Sequence, residues 1–259
     1  MALEKSEAIV LRVLLFRDTS KIVTAYAAEH GLVSLLAKGV RGPRPRFGAA
    51  LEIFAHVDLV FYMKDSRELQ LLSHASLLDA HLGLSRSTRR YAYGVAVLEL
   101  LLKALSGTEP PGRLYALALR TLEVLESGND ASLPTLFRAF TLKAISFLGH
   151  RPELHACVEC GGPVGAGAGF SPLQGGTVCA GCRRTAEGVM DASASALDWL
   201  RRFLGATLAD LDGDPAPPAE AAACGALIEA FLRCHMERYD GLRSLRYFQF
   251  PEARRRALQ

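Results

Sequence analysis

Short segments that alternate between apolar and polar residues occupy the first third of the chain. The clearest is residues 51–63 (LEIFAHVDLVFYM), where every second residue from Leu51 to Phe61 is apolar, which predicts a half-buried strand. Other β-branched and aliphatic segments nearby are bounded by turn residues. Five antiparallel strands at such short spacing are typical of a small closed barrel of the OB-fold type. The predicted strands are 7–16, 22–28, 32–37, 51–63 and 68–72.

The pattern changes to a helical period near residue 80. Residues 133–148 carry apolar side chains at i, i+3, i+4 and i+7 from Leu133 onward, which predicts an amphipathic helix with Ser132 as its N-cap. A helix at 88–105 is apolar on nearly all sides, so we expect it to be central and buried. Further helices are predicted at 112–126, 194–211 and 219–240. The prediction is an α+β multidomain chain, with the barrel at 1–80 and an α-helical domain at 81–259.

Two C-x2-C pairs interrupt the predicted helical domain. Eighteen residues separate the pairs, a spacing typical of zinc modules, and four soft thiolates in a tetrahedron suit Zn²⁺. Four cysteines leave no coordination position for water or substrate, so we predict one structural zinc ion rather than a catalytic one. Two disulfides or a metal-free remnant are the alternatives. The module spans about residues 150–190, and its predicted ligands are Cys157, Cys160, Cys179 and Cys182.

The remaining cysteines and the histidines suggest no catalytic site. Cys224 and Cys234 fall near an apolar helical stripe, so we expect small buried side chains. The seven histidines are scattered, and we expect flanking or surface positions for all of them. The chain contains no phosphate-binding loop, nucleophile elbow or H-E-x-x-H motif, so no pattern indicates an enzyme.

The composition is that of an ordinary globular protein, with 259 residues, 50% hydrophobic and 22% charged. The first seven residues are too acidic for a signal peptide. The most apolar stretch, 94–105, is broken by Glu99 and Lys103 and is too short to span a bilayer. We therefore expect a cytoplasmic protein, in a reducing compartment where cysteines are more often metal ligands than disulfides.

Charge distribution is more informative than the net charge of +3. No acidic residue lies between Glu29 and Glu52, and a proline-containing loop there carries the cations that we predict to contact phosphates. Phe47 could stack on a base; the alternative is a solvated loop with Phe47 in the core. The basic C-terminal end is expected to be frayed and solvated. The predicted DNA-contacting residues are Lys38, Arg41, Arg44 and Arg46, with Arg183, Arg184, Arg201 and Arg202 as second-rank candidates whose default role is surface solubility.

Several segments, taken together and in order, resemble the bacterial recombination mediator family RecO. The similarity covers nearly the whole chain. Some members of that family lack the cysteines, whereas this chain retains all four. It departs from the family pattern at His150, where a tyrosine or similar residue is usual, and in a basic loop richer in proline. The matching segments are 28–42 (AEHGLVSLLAKGVRG), 93–102 (YGVAVLELLL), 147–161 (FLGHRPELHACVECG) and 170–182 (FSPLQGGTVCAGC).

The resemblance implies a non-enzymatic protein of DNA repair and recombination. Members of the family bind single- and double-stranded DNA and anneal complementary strands, including strands coated by single-stranded DNA-binding protein (SSB). With RecR they help load RecA. For this chain the resemblance implies DNA, RecR and SSB as partners, RecA and RecF as indirect partners, and a cytoplasmic location at the nucleoid during repair. Two alternatives remain open: a zinc-ribbon scaffold that binds only proteins, and a zinc-dependent nuclease or hydrolase.

Overall fold

The computed structural model describes residues 2–40, 47–64, 66–105 and 112–248, with only the backbone at 247 and 248. The chain divides into two compact units between Glu126 and Ser127. Strands change to helices near residue 80, as the sequence predicts, but the first compact unit also includes the first two helices. The domain boundary at residue 80 therefore stays a prediction, because the change from strands to helices and the division into compact units fall at different places in the chain.

Five strands form a closed barrel in the order β1-β2-β3-β5-β4. β3 and β5 pair in parallel and the other neighbours pair antiparallel, with β4 returning to β1 to close the barrel. This arrangement confirms the predicted five-stranded OB-like fold. The strands are β1 Ala2–Phe16, β2 Ser20–Ala27, β3 Gly31–Ala37, β4 His56–Met63 and β5 Leu69–Asp79.

A bulge in β1 allows this strand to pair with two neighbouring strands. The first half of β1 pairs with β4 and the second half with β2, and the register shifts between Val10 and Arg12. Such a bulge bends a strand and increases its twist, which barrel closure requires. The barrel interior is filled by apolar side chains that are almost fully buried, including Val10, Val23, Leu35, Leu59 and Phe61.

The predicted strand at 51–63 is wrong in its first five residues. Gly48–Leu51 is a short 3₁₀ helix, and a turn follows in which Phe54 has a positive φ of 72°. Leu51 and Phe54 are both buried, and the Phe54 N–H donates to the carbonyl of Val10 at 3.0 Å. The apolar residues at 51, 53 and 55 alternate in the sequence without forming a strand, because the turn also buries Phe54 from what would be the other face.

Two helices, α1 Thr88–Ala104 and α2 Arg113–Ser127, complete the first unit. The Ser87 hydroxyl caps α1 by accepting from the Arg90 N–H at 3.1 Å. The Arg90 guanidinium donates to the carbonyl of Leu125 at 3.0 Å, where a cation also complements the C-terminal dipole of α2. The prediction that 88–105 is buried is confirmed for one face only, because Glu99 and both tyrosines of α1 keep part of their surface exposed.

His81 joins the barrel to the helices and is buried, which corrects the expectation of surface positions for all histidines. Its backbone lies in the left-handed region, with φ 44°, and its N–H donates to the Asp79 carboxylate at 2.8 Å. The ring Nδ1 lies 3.0 Å from one carboxylate oxygen of Glu126, and the other oxygen accepts from the Gly83 N–H at 2.6 Å. Asp79, His81 and Glu126 are close enough to suggest a metal site. These hydrogen bonds already use the facing ring nitrogen and the carboxylates, so we assign the group a structural role.

We expect His81→Ala to destabilise the first unit by about 1–3 kcal/mol, because the substitution leaves a partly buried Glu126 carboxylate oxygen without its donor. Urea denaturation followed by circular dichroism measures the loss. His74→Ala is the matched control, since His74 is an exposed residue of β5 whose ring nitrogen lies 3.0 Å from the Ser76 hydroxyl. Equal unfolding free energies for the two variants would show that the His81–Glu126 contact contributes no stability.

The second unit contains five helices in its described part, and they differ from the prediction in three ways. The helix predicted at 194–211 is broken by a capping box, in which the Thr207 hydroxyl accepts from the Asp210 N–H and the Asp210 carboxylate accepts from Thr207. Ser132 is the N-cap residue of α3, as predicted, but its hydroxyl bonds to Asn129 and Asp212 instead of to the helix backbone. Residues 243–248 are helical rather than frayed, and the rest of the predicted frayed end, 249–259, lies outside the described residues. The helices are α3 Leu133–Phe147, α4 Ala194–Gly205, α5 Leu208–Gly213, α6 Pro218–His235 and α7 Arg243–Phe248.

The two cysteines of α6 differ in their surroundings. Cys224 is fully buried, as predicted, and burial raises the pKa of its thiol to about 12, which makes it unreactive. Cys234 is exposed, so the expectation of a second buried thiol is wrong. The helical spacing places both residues near one stripe, but Cys234 lies one residue before the end of α6 and is exposed.

Candidate metal centre and nucleic-acid interface

The four predicted metal ligands meet at one point in the second unit. The sulfur atoms of Cys157, Cys160, Cys179 and Cys182 all lie within 4.8 Å of one another. Local turns aim each pair inward: the Gly161 N–H donates to the Cys157 carbonyl at 2.8 Å, and Gly161 itself has a φ of 69°. A side chain would strain this left-handed conformation, which explains the glycine that follows the first pair.

A small sheet holds the two cysteine pairs together. It consists of β6 Gly169–Ser171, β7 Gly176–Val178 and β8 Met190–Asp191, in the order β7-β6-β8. The first pair is attached to β7, because the Val158 N–H donates to the Thr177 carbonyl at 2.9 Å and the Thr177 N–H donates to Glu153 at 2.8 Å. Cys179 directly follows β7, so this sheet brings residues about twenty positions apart in the sequence into one cluster.

The chemistry of the donor set fits a metal cation. Burial by itself raises the pKa of the Cys157 thiol, but backbone N–H groups of Cys179, Cys160 and Glu159 outweigh it and lower the pKa to about 6. Hydrogen bonds that the protonated Cys182 thiol donates to the sulfurs of Cys179 and Cys160 raise its pKa to about 12. Four neighbouring sulfurs cannot all ionise unless a cation compensates their charge. The cluster can therefore hold a metal ion, with every position filled by protein.

The predicted phosphate-contacting loop begins at the end of β3. Lys38 follows that strand directly and is exposed, whereas Arg41, Arg44 and Arg46 lie outside the described residues. The ring of Phe47 is half-buried and packs against the barrel core. This position agrees with the alternative in which Phe47 belongs to the core, although its remaining exposed surface leaves stacking on a base open.

Three of the four second-rank arginines already have intramolecular partners. Arg183 is paired with Asp191, and Arg202 with Asp214 at 2.7 Å while its guanidinium lies 4.5 Å from the Trp199 ring centroid. These arginines belong to the second compact unit, whereas Lys38 belongs to the first. Arg201 donates to the Leu154 carbonyl at 2.8 Å and to Asp198 at 2.6 Å, and Arg184 is exposed.

Sequence reasoning missed Arg17, a cation in the turn between β1 and β2. Its guanidinium carbon lies 5.2 Å from the centroid of the Phe16 ring. The turn contacts the segment that follows β3, because the Val40 N–H donates to the Thr19 carbonyl at 2.8 Å. The sequence signal that could have indicated this contact is an aromatic residue directly before an arginine at the end of a strand.

These features define a class: an OB-barrel protein with a helical second unit that carries a closed four-thiol metal module. Among the helices of the described residues, none has the length and apolar character that crossing a membrane requires.

Two family models match the chain. "Recombination protein O N terminal" covers residues 1–81 and "Recombination protein O C terminal" covers residues 86–246. The DNA repair protein RecO of Streptomyces coelicolor is 35% identical over 258 residues, which span 96% of this chain and 100% of that protein. DNA repair protein RecO of Symbiobacterium thermophilum is 36% identical over 207 residues, 79% of this chain and 81% of the relative. The chain belongs to the RecO family of DNA repair proteins.

Proposed function

We propose that this chain is a non-enzymatic recombination mediator that binds single- and double-stranded DNA and anneals complementary strands. The observation that carries the proposal is an OB barrel whose third strand leads directly into a cationic segment, beginning at the exposed Lys38, in a member of a DNA repair family. Strand annealing requires neutralisation of two polyanions and no covalent chemistry. In this function Lys38, Arg41, Arg44 and Arg46 contact phosphates.

The metal of the cysteine cluster is Zn²⁺ in this proposal. Four thiolates in a closed set are typical of structural zinc, and hard cations such as Mg²⁺ prefer oxygen ligands. The ion stabilises the fold of the module at about residues 150–190 and does not bind substrate. This role separates the proposal from a zinc-dependent hydrolase, which needs an open coordination position.

The protein partners in this proposal are RecR and SSB, with RecA and RecF acting indirectly. Together with RecR the chain helps load RecA onto single strands coated by SSB, in the cytoplasm at the nucleoid. Family membership supports this assignment, and the helical second unit offers a rigid surface for protein contacts. A protein scaffold without DNA binding is the second candidate, because the zinc module by itself is equally compatible with it.

Annealing of two dye-labelled complementary oligonucleotides tests the proposal. We expect the protein to accelerate energy transfer between the dyes at least tenfold at low salt, with bare strands and with SSB-coated strands. Non-complementary strands are the control and should give no signal. If the protein neither anneals nor binds DNA at low salt, the scaffold alternative is correct. Shortened strands that appear only in metal-loaded samples would instead indicate a nuclease.

A further inference from the structure

The outer surface of the barrel has an apolar row where β1, β2 and β3 lie side by side. Leu14 pairs with Ile22, and Ile22 pairs with Leu36, so the three side chains form one row across the strands. Their neighbours Val23 and Leu35 point into the core, which places the row on the outside. Leu14 is 48% exposed, and Ile22 and Leu36 are half-buried. Solvent can therefore reach an aliphatic surface at this end of the barrel.

A second row, beside the first, combines an aromatic ring with a cation. Phe16 is half-buried, shares the outer face with Leu14 and pairs with Ser20. Lys38 follows Ala37 and, because side chains alternate along an extended chain, shares the outer face with Leu36. The hydrogen bond from Val40 to Thr19 keeps this segment beside the turn. Lys38 is thus roughly two strand spacings, about 10 Å, from Phe16.

The charges around the two rows favour an anionic ligand. Lys21 is occupied by an ion pair with Glu52 at 2.8 Å. Neither Arg17 nor Lys38 forms an ion pair with a carboxylate in the described part of the chain, and both are exposed. Asp18 lies in the same turn and offsets part of this charge. The surface is therefore apolar in the middle. The Phe16 ring lies under the Arg17 guanidinium, and Lys38 is the second cation nearby.

We propose that Leu14, Phe16, Ile22 and Leu36 form a platform that contacts the bases of a single DNA strand, whose phosphates bind Arg17 and Lys38. The inference rests on the proposed function and adds the base-contacting residues to it. Single strands alternate apolar bases with phosphates, and the platform offers a matching alternation of apolar surface and cations. The equivalent face of other OB barrels, formed by strands 2 and 3 and the first loop, binds oligonucleotides.

The platform has a single aromatic ring and otherwise aliphatic side chains. Aromatic rings stack on bases, whereas branched aliphatic side chains only exclude water from them. We therefore expect one firmly stacked base at Phe16 and weaker contacts with its neighbours, which leave their pairing edges free. Such a surface suits a protein that must present its bound DNA strand to a complementary strand.

Phe16→Ala tests the platform by removing the ring without changing any charge. We expect affinity for a labelled oligo(dT) to fall about 5- to 100-fold, the range found for loss of one stacked base. The salt dependence of binding should stay the same, and affinity for a blunt duplex should not change, because its bases are inaccessible. Phe147→Ala is the matched control, since Phe147 is a 43% exposed aromatic residue in the other unit. Thermal melting verifies that both variants fold.

A fluorescence readout keeps the test valid if Phe16→Ala fails to fold. Trp199 is the only tryptophan of the chain, so Phe16→Trp in a Trp199→Phe background places a single reporter on the platform. We expect oligo(dT) to quench its emission and a blunt duplex not to. If the protein binds DNA but shows no quenching, and Phe16→Ala binds as tightly as Phe147→Ala, the platform is not a base-contacting surface and a protein partner must cover it. If the unmodified protein binds no DNA, the proposed function itself fails.

Discussion

Cys157→Ser is expected to abolish metal binding and to unfold the zinc module, with a larger loss of stability than His81→Ala causes. Cys157 is the buried ligand of the four, and its sulfur also accepts the Cys179 N–H at 3.3 Å. The substitution therefore removes both a thiolate and the acceptor that connects the two cysteine pairs. In small zinc peptides, metal binding supplies about 10–16 kcal/mol of folding free energy.

The second unit retains other sources of stability, so only part of that energy is lost. Its helices α3, α4 and α6 pack on one another independently of the cysteines. We expect the melting temperature to fall by more than about 10 °C, which corresponds to a few kcal/mol for a unit of this size. Circular dichroism gives the melting temperature, and plasma mass spectrometry gives the zinc content, expected to fall from about one ion per chain to nearly none.

Cys234→Ser is the matched control for this experiment. Cys234 is exposed on α6 and does not belong to the cysteine cluster, so its loss should change neither zinc content nor melting temperature. A Cys157→Ser protein with unchanged zinc content and melting temperature would contradict a structural zinc site. If the substitution abolishes an activity while the fold persists, the metal is catalytic and the coordination cannot be closed.

Reversing the charge of the segment after β3 is expected to remove most of the affinity for DNA. The variant is Lys38→Glu/Arg41→Glu/Arg44→Glu, measured by fluorescence anisotropy with a labelled single-stranded oligonucleotide over a salt series. Four phosphate contacts on a single strand predict a slope of log K against log salt of about −3 for the unmodified protein. The variant should bind at least a hundredfold more weakly at low salt, with a slope reduced to about −1, because three of the cations no longer release counterions while Arg46 and Arg17 remain.

A second triple variant separates a local site from the effect of net charge. Arg89, Arg113 and Arg120 are exposed on α1 and α2 of the same unit, and their replacement by glutamate changes the net charge equally. Two of them lie in the first turns of their helices, where a carboxylate is favourable, so the fold should tolerate the change. We expect this control to keep the slope and most of the affinity.

The outcome also decides where the DNA track lies. If both triple variants lose affinity equally, binding follows the total charge and no phosphate site exists on the loop. If neither does, the second unit must contact DNA. Arg184 is then the first residue to test, because Arg183, Arg201 and Arg202 are already engaged with Asp191, Asp198 and Asp214.

Most elements of the fold were predictable from local pattern. The five strands and the helices α1, α2, α3 and α6 follow from short apolar segments or helical period, and most of their boundaries agree within a few residues. The exceptions are β1 and β5, which are longer than predicted, and β4, which starts later than predicted. The break between α4 and α5 was also predictable, since Thr207 and Asp210 have the spacing of a capping box. Residues 51–55 were misassigned because residues 51, 53 and 55 are apolar and alternate in the sequence, although the backbone there forms a turn in which Phe54 is also buried.

The sequence by itself determined the two cysteine pairs, because each C-x2-C turn has a fixed local geometry, and it determined the five strands, because short apolar and β-branched segments bounded by turn residues mark them. Only the tertiary structure decided which side chains share a surface. Strand register placed Phe16 and Arg17 beside Lys38, although about twenty residues separate them in the chain. It also buried His81 against Glu126, which is 45 residues away. Pairing between distant segments depends on how the whole barrel closes, and no local pattern encodes that closure.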